Sequence, residues 1–149
     1  MCYNTRGGAF EMQKKVYMGI LAAVLAVVLT ACGAAPQNVW EDAVYTEDTF
    51  FGTGAKTVSV RVVAEKKTVT FAIHTDKETL GEALLEHDLI AGDMGAYGLY
   101  VKTVNGMYAD YNETKTYWAL TKDGGYMSTG VDGTAIADGE KYELTLTFS

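Results

Sequence analysis

Two stretches of strict alternation, "TVSVRVV" at 57–63 and "TVTFAIH" at 68–74, constrain the fold most. In the first, Val58, Val60 and Val62 fall on one face, with Ser59 and Arg61 on the other. In the second, Val69, Phe71 and Ile73 oppose Thr68, Thr70, Ala72 and His74. Period two in β-branched and aromatic residues describes strands with one dry face and one wet face. The intervening "AEKK" suits a tight hairpin connection. Next, "TDKETLGEALLEHDLI" changes to helical spacing. Leu80, Ala83, Leu84 and Leu89 share one side, and Glu82, Glu86 and Asp88 the other. Thr75 and Glu78 stand at capping-box spacing ahead of it, and Gly92 is expected to end it. Gly81 inside the helix costs about 1 kcal/mol relative to alanine, which a close approach by a strand would explain.

The remainder reads as strand and turn. "YGLYVKTVNGMYADY" places Asn105-Gly106 between apolar arms, a strong hairpin signal because both residues tolerate positive φ. "TYWALTK" and "YELTLTF" alternate again, with turns expected at Asp123-Gly124-Gly125, Asp132-Gly133 and Asp138-Gly139. The order β-β-α-β-β-β-β predicts an α+β domain that is β-grasp-like: a β-hairpin, one helix across its face, then further antiparallel strands. A small open sandwich with one helix is the alternative.

Ahead of the strands, "MQKKVYMGILAAVLAVVLTACG" has Lys14 and Lys15 before an uncharged run at 18–31, closed by Cys32. A short basic region, an apolar region and small residues at a cut are the parts of a secretory signal. As a helix the run is roughly 21 Å long, against the ~30 Å core of a bilayer, so it is a poor permanent span. Leu29-Thr30-Ala31-Cys32 resembles the bacterial lipobox, in which the cysteine becomes the first residue and receives lipid on its thiol and amine. The expected organisation is a signal peptide at 1–31, with Met12 as an expected start, and a lipid-anchored tether at 32–56. A domain at 57–149 follows. Cys32 is the lipidation site, and the location is the extracytoplasmic face of the cell membrane. Trp40, Tyr45, Phe50 and Phe51 are unusual in a tether, and either dock on the domain or form a short interaction segment. Cys2 lies upstream of the cut, so the mature chain has no internal disulfide.

The whole chain carries a formal charge of −7. The expected leader holds Arg6, Lys14 and Lys15 against Glu11, so the rest is more acidic still. That balance argues against nucleic acid and against an electrostatic grip on anionic lipid. Catalytic equipment is sparse. His74 and His87 have no cysteine to join them after the cut, and no zinc-type spacing occurs. Ser59, Ser128 and Ser149 sit in no nucleophile elbow. Asp110, Asn112 and Glu113 lack the glycine and later ligands of a calcium loop. The sequence predicts a binding protein without catalytic residues, metal or cofactor.

Aromatics crowd the 30 residues from 97 to 126: Tyr97, Tyr100, Tyr108, Tyr111, Tyr117 and Tyr126, together with Trp118. Flat apolar faces with a polar edge suit partly wet binding surfaces, whereas strands also use aromatics simply to fill a core. Tyr117 and Trp118 must point to opposite faces, one core and the other exposed or in a groove. The framework Tyr117-Trp118, a glycine turn, Gly130-Val131, Asp138-Gly139-Glu140 and a last strand at 142–148 carries a resemblance. It is similar to the C-terminal domain of the transcobalamin and intrinsic-factor family, and to bacterial transcobalamin C-terminal-like domains of cell-surface proteins. "GLYVKTVNGMYADY" fits the same pattern, and the resemblance covers 57–149.

The resemblance implies a β-grasp-like sheet with one helix, closing over cobalamin held on a separate helical barrel. It places the ligand-facing positions at Tyr117, Trp118, Tyr126 and Met127. The chain has no room for the barrel. The resemblance implies a corrinoid as ligand, and the missing barrel a second chain or a transporter as partner. A cell-surface protein- or glycan-interaction module is the alternative.

Overall fold

The alternating stretches form the centre of the molecule. A computed structural model of the protein describes residues 38–149, as a small mixed α/β domain that is mostly β. Among the described residues there are nine strands in two sheets and two short helices. Strands β2 (Lys56–Ala64) and β3 (Lys67–Thr75) pair antiparallel throughout, around a two-residue turn in which Glu65 takes φ 55°. A three-residue strand β1 (Thr49–Phe51) adds parallel to β3. On the other side of β2 lies the last strand, β9 (Lys141–Phe148), which runs parallel to it. Beyond β9 come β7 (Thr116–Lys122) and β8 (Gly125–Tyr126), both antiparallel, giving a six-stranded sheet ordered β1-β3-β2-β9-β7-β8. The second sheet is an antiparallel trio, β4 (Ile90–Gly95), β5 (Gly98–Val104) and β6 (Met107–Tyr108).

The predicted faces are those seen. Val58, Val60, Val62, Val69, Phe71 and Ile73 are buried in one core with Tyr142, Leu144 and Leu146 of β9. Helix α1 (Leu80–Leu85) contributes Leu80, Ala83 and Leu84, and the second sheet contributes Ile90, Val104 and Met107. Burying a side chain of this kind is worth about 1.5–3 kcal/mol, so the alternation is the main determinant of the sheet.

The helix differs from expectation at both ends. Its N-cap is Thr79, whose hydroxyl accepts from Glu82 N, and the Glu82 carboxylate accepts from Thr79 N at 3.2 Å. Thr75 is instead a buried strand residue. The helix closes before Gly92 because Asp88 adopts φ 54°, with Asp88 N donating to Leu85 O and Leu89 N to Leu84 O. That left-handed closure leaves Gly92 in β4, where a Cβ would lie 1.9 Å from Tyr100 O. Gly81 does permit a close approach, by the backbone of the 3-10 turn Val131–Gly133 and not by a strand. The second helix, α2 (Tyr111–Thr114), is one turn capped by Asp110.

The tether expected at 32–56 is corrected over 38–56, because the compact unit begins at Asn38. Trp40 is 5% exposed, and its indole N–H donates to Ala64 O at 2.9 Å. Asn105, at φ 52° in the Asn105-Gly106 turn, uses its side chain as a clasp on this segment. Tyr45 N donates to Asn105 Oδ1 at 2.9 Å, and Asn105 Nδ2 donates to Tyr45 O at 2.8 Å. Tyr45 and Phe51 then pack edge-on against each other and against Phe71. The aromatics of 38–51 therefore dock on the domain, except Phe50, which is exposed on β1. The expected signal peptide at 1–31 and the lipidation site Cys32 lie outside the described residues.

Candidate ligand-binding surface

The turn between β7 and β8 has Asp123 and Gly124 both at positive φ, 51° and 83°. Such a turn matches the twist of its strands and keeps the hairpin short. It sets Tyr126 opposite Thr121, on the same face of the sheet as Tyr117. Tyr126 is 77% exposed. Met127 follows, half-buried, with its N–H donating to Leu120 O at 3.1 Å. Trp118 points the other way, into the core, at 8% exposure. Its indole N–H finds no acceptor among the described residues. The four positions implied by the resemblance therefore divide. Tyr117 and Tyr126 share the outer face, Met127 lies beside them in sequence, and Trp118 is core.

A second hairpin also presents large apolar side chains to solvent. The tip between β4 and β5 carries Tyr97, fully exposed, and Met94 is exposed on β4. Gly98, at φ 100°, has no Cβ to obstruct the Asp132 carboxylate, which accepts from Leu99 N at 3.0 Å. Asp132 sits in the 3-10 turn reached shortly after β8, so this hydrogen bond ties the tip of one hairpin to the chain leaving the other. Tyr97 and Met94 are the additions that the structure makes to the candidate surface. Periodicity could not have found Met94, because its exposure depends on β4 being an edge strand.

Charge on the second sheet is neutralised locally. Lys102 Nζ lies 2.8 Å from both Asp93 and Asp110, and those two carboxylates hold its pKa above the usual lysine range. In return, Lys102 and the Asn112 N–H hold the Asp110 carboxyl below the usual range. The Tyr108 hydroxyl donates to Glu113 at 2.8 Å, and that hydrogen bond with partial burial pushes its pKa up to about 12. These groups fix the sheet to helix α2 and leave no free carboxylate pair. Among the described residues, no three His, Cys, Asp or Glu side chains come together as metal donors would.

On the outer face of the large sheet, Ser59, Arg61, Thr70, Thr121, Lys141 and Glu143 floor an open, shallow depression of about 410 Å³ beside the β7–β8 turn. Arg61 is held by Glu143 at 3.1 Å. The histidines take part in packing. His74 Nδ1 is 2.9 Å from Thr57 Oγ1, and the His87 ring lies 5.3 Å from that of Phe51. Gly52, at φ 72°, fits between the His74 carbonyl and the His87 ring.

Glu140 anchors the start of the last strand. Lys122 donates to it at 2.7 Å, and the Tyr142 hydroxyl and Ala137 N donate to its other oxygen. Lys122 first, then Tyr142, lower its pKa to about 2. A carboxyl depressed on folding stabilises the fold above its unfolded pKa, and that stabilisation is lost as pH falls toward the folded value. We expect stability to drop between pH 5 and pH 2, by about 2–3 kcal/mol from this group. Urea denaturation across that range checks it: Glu140→Gln should flatten the slope, and an unchanged slope would place the acid sensitivity elsewhere.

The sequence model of a domain of unknown function (DUF4430) matches residues 77–147. Among solved structures, a Ruminococcus gnavus protein that carries a provisional description as metal-binding is 34% identical, with a TM-score of 0.60. The match covers 64% of this chain and 99% of that one. Haptocorrin in complex with Cbi matches at 20% identity and a TM-score of 0.54. That match covers 66% of this chain but 26% of haptocorrin, and the likeness is one of fold. No curated protein matches the chain.

Proposed function

The chain belongs to the DUF4430 family, and on that premise we propose that it is a membrane-anchored extracytoplasmic binding protein whose paired hairpins capture a corrinoid. One observation carries the reading: Tyr97 and Tyr126 stand exposed at two hairpin tips, and Asp132 holds the first of these hairpins to the chain that follows the second. A soluble domain gains nothing in stability from two bare aromatic rings at hairpin tips, whereas flat rings with polar edges suit a flat, partly polar ligand. The corrinoid is the first ligand to test because haptocorrin, of like fold, was solved with one. Anchoring rests on the lipobox-like Leu29-Thr30-Ala31-Cys32. The surface is open on one side, so tight binding calls for a second chain or a transporter to close it. No catalytic step is part of this reading.

Calorimetric titration of residues 38–149 with cyanocobalamin and cobinamide tests it. Binding at micromolar affinity or tighter is expected, weakened about tenfold by Tyr126→Ala and by Tyr97→Ala in folded protein. No heat across the panel would overturn the corrinoid reading. It would favour the alternative, a protein- or glycan-interaction module. The feature behind that alternative is β4, an edge strand exposed from Ala91 to Gly95 and paired on one side only, which can accept an added strand.

A further inference from the structure

The two ends of the large sheet carry different surfaces, and the chain enters at only one of them. Trp40 is fixed to Ala64, the last residue of β2, and Asn38, Trp40, Glu65, Lys66 and Lys67 line one depression at the β2–β3 turn. Because β9 runs parallel to β2, Phe148 lies at this same end. Its partner Thr116 places Lys115 and helix α2 there too. The β7–β8 turn and Tyr126 lie at the opposite end, since β7 runs back antiparallel to β9. The second sheet is oriented alike. Its Asn105-Gly106 turn is clasped to Val44 and Tyr45, while its Tyr97 tip is tied to Asp132.

We propose that the β2–β3 turn end rests against the bilayer and that the Tyr97 and Tyr126 hairpins are held out toward the external medium. The inference rests on the anchoring at Cys32 put forward above, and it names what the binding surface can meet. Five residues, 33–37, separate Cys32 from Asn38. Fully extended, that connection reaches about 21 Å, and as a flexible chain it averages about 14 Å. Strand β2 alone, with nine residues, extends about 27 Å away from the attachment point. The connection is shorter than the sheet, so the far end cannot be turned down onto the membrane.

The near end is also dressed for an interface. Phe148 and Tyr111 are exposed, Lys115 Nζ sits 5.3 Å from the Tyr111 ring, and Lys66 and Lys67 flank the chain entry. Aromatic rings and long cationic side chains suit the headgroup layer. Glu41, Asp42, Glu65 and Glu113 at the same end outnumber those three lysines, so the lipid chain and the short connection set the orientation, and headgroup attraction adds nothing. The ligand or partner of the hairpins therefore arrives from outside, or is a protein that itself projects from the membrane by a comparable height.

The test uses full-length protein purified from a bacterial membrane and reconstituted in phosphatidylethanolamine–phosphatidylglycerol vesicles bearing a headgroup quencher. A fluorophore is placed on Lys66→Cys or on Ser128→Cys. The Cys32 thiol carries lipid in the anchored protein, so only the introduced cysteine takes the label. The label at 66 should be quenched at least fivefold more than the label at 128. Equal quenching, or stronger quenching at 128, in protein that floats with the vesicles would overturn the orientation while leaving the anchor intact. Protein that carries no lipid at Cys32 and does not float would overturn the anchor, and the orientation with it.

Discussion

Trp118→Ala should lower the stability of the domain by about 3–4 kcal/mol, a large fraction of what a domain this size possesses. The indole is 8% exposed on the inner face of β7, opposite Leu146 of β9, within the single core cluster. Truncating it removes the apolar contacts of two rings and leaves a cavity between central strands that cannot collapse without bending the sheet. Its N–H has no acceptor among the described residues, so Trp118→Phe loses no hydrogen bond and should cost only about 1–2 kcal/mol, from volume. Urea denaturation followed by tyrosine fluorescence and circular dichroism measures both. A Trp118→Ala protein with an unchanged midpoint but no corrinoid binding would instead assign the indole to the ligand, as the family resemblance implied.

Trp40→Ala is expected to do as much damage, about 3–5 kcal/mol, although the residue precedes the first regular strand. Trp40 is 5% exposed and its N–H satisfies Ala64 O at 2.9 Å. Here the phenylalanine substitution discriminates. Trp40→Phe removes the indole's hydrogen bond to the buried Ala64 O, at a further cost of about 0.5–1.5 kcal/mol, so it should be worse tolerated than Trp118→Phe. The same denaturation series compares the two. Equal tolerance would mean that water replaces the indole at Ala64, and that the N-terminal segment is held by contact area alone.

Much of the sheet was legible because its cause is local. Val58 to Ile73 alternate, Asn105-Gly106 and Asp123-Gly124 demand positive φ, and each demand is met within a few residues of chain. The misjudged parts depend on distant partners. Nothing near Trp40 in sequence announces Ala64, 24 residues on, and nothing near Tyr45 announces Asn105, 60 residues on. The helix cap was placed one turn early because Thr75-Glu78 and Thr79-Glu82 have the same spacing. The choice fell to strand β3, which extends through Thr75. For the candidate surface, alternation correctly required Tyr117 and Trp118 to part. It could not say which faced water, since that depends on which side of the sheet the helix and the second sheet cover.

The parallel seam between β2 and β9 also governs when the molecule can exist. Ser59 pairs with Lys141 and Val60 with Tyr142, partners separated by most of the domain. Until the last strand is available, β7 has nothing to pair with but its own short hairpin, and the β2–β3 hairpin lacks its neighbour on one side. Contacts of such long sequence separation form slowly, because the intervening chain must be confined before any reward is collected. A chain made N-terminus first therefore leaves the large sheet open until β9 is present, and closes it abruptly when that strand arrives.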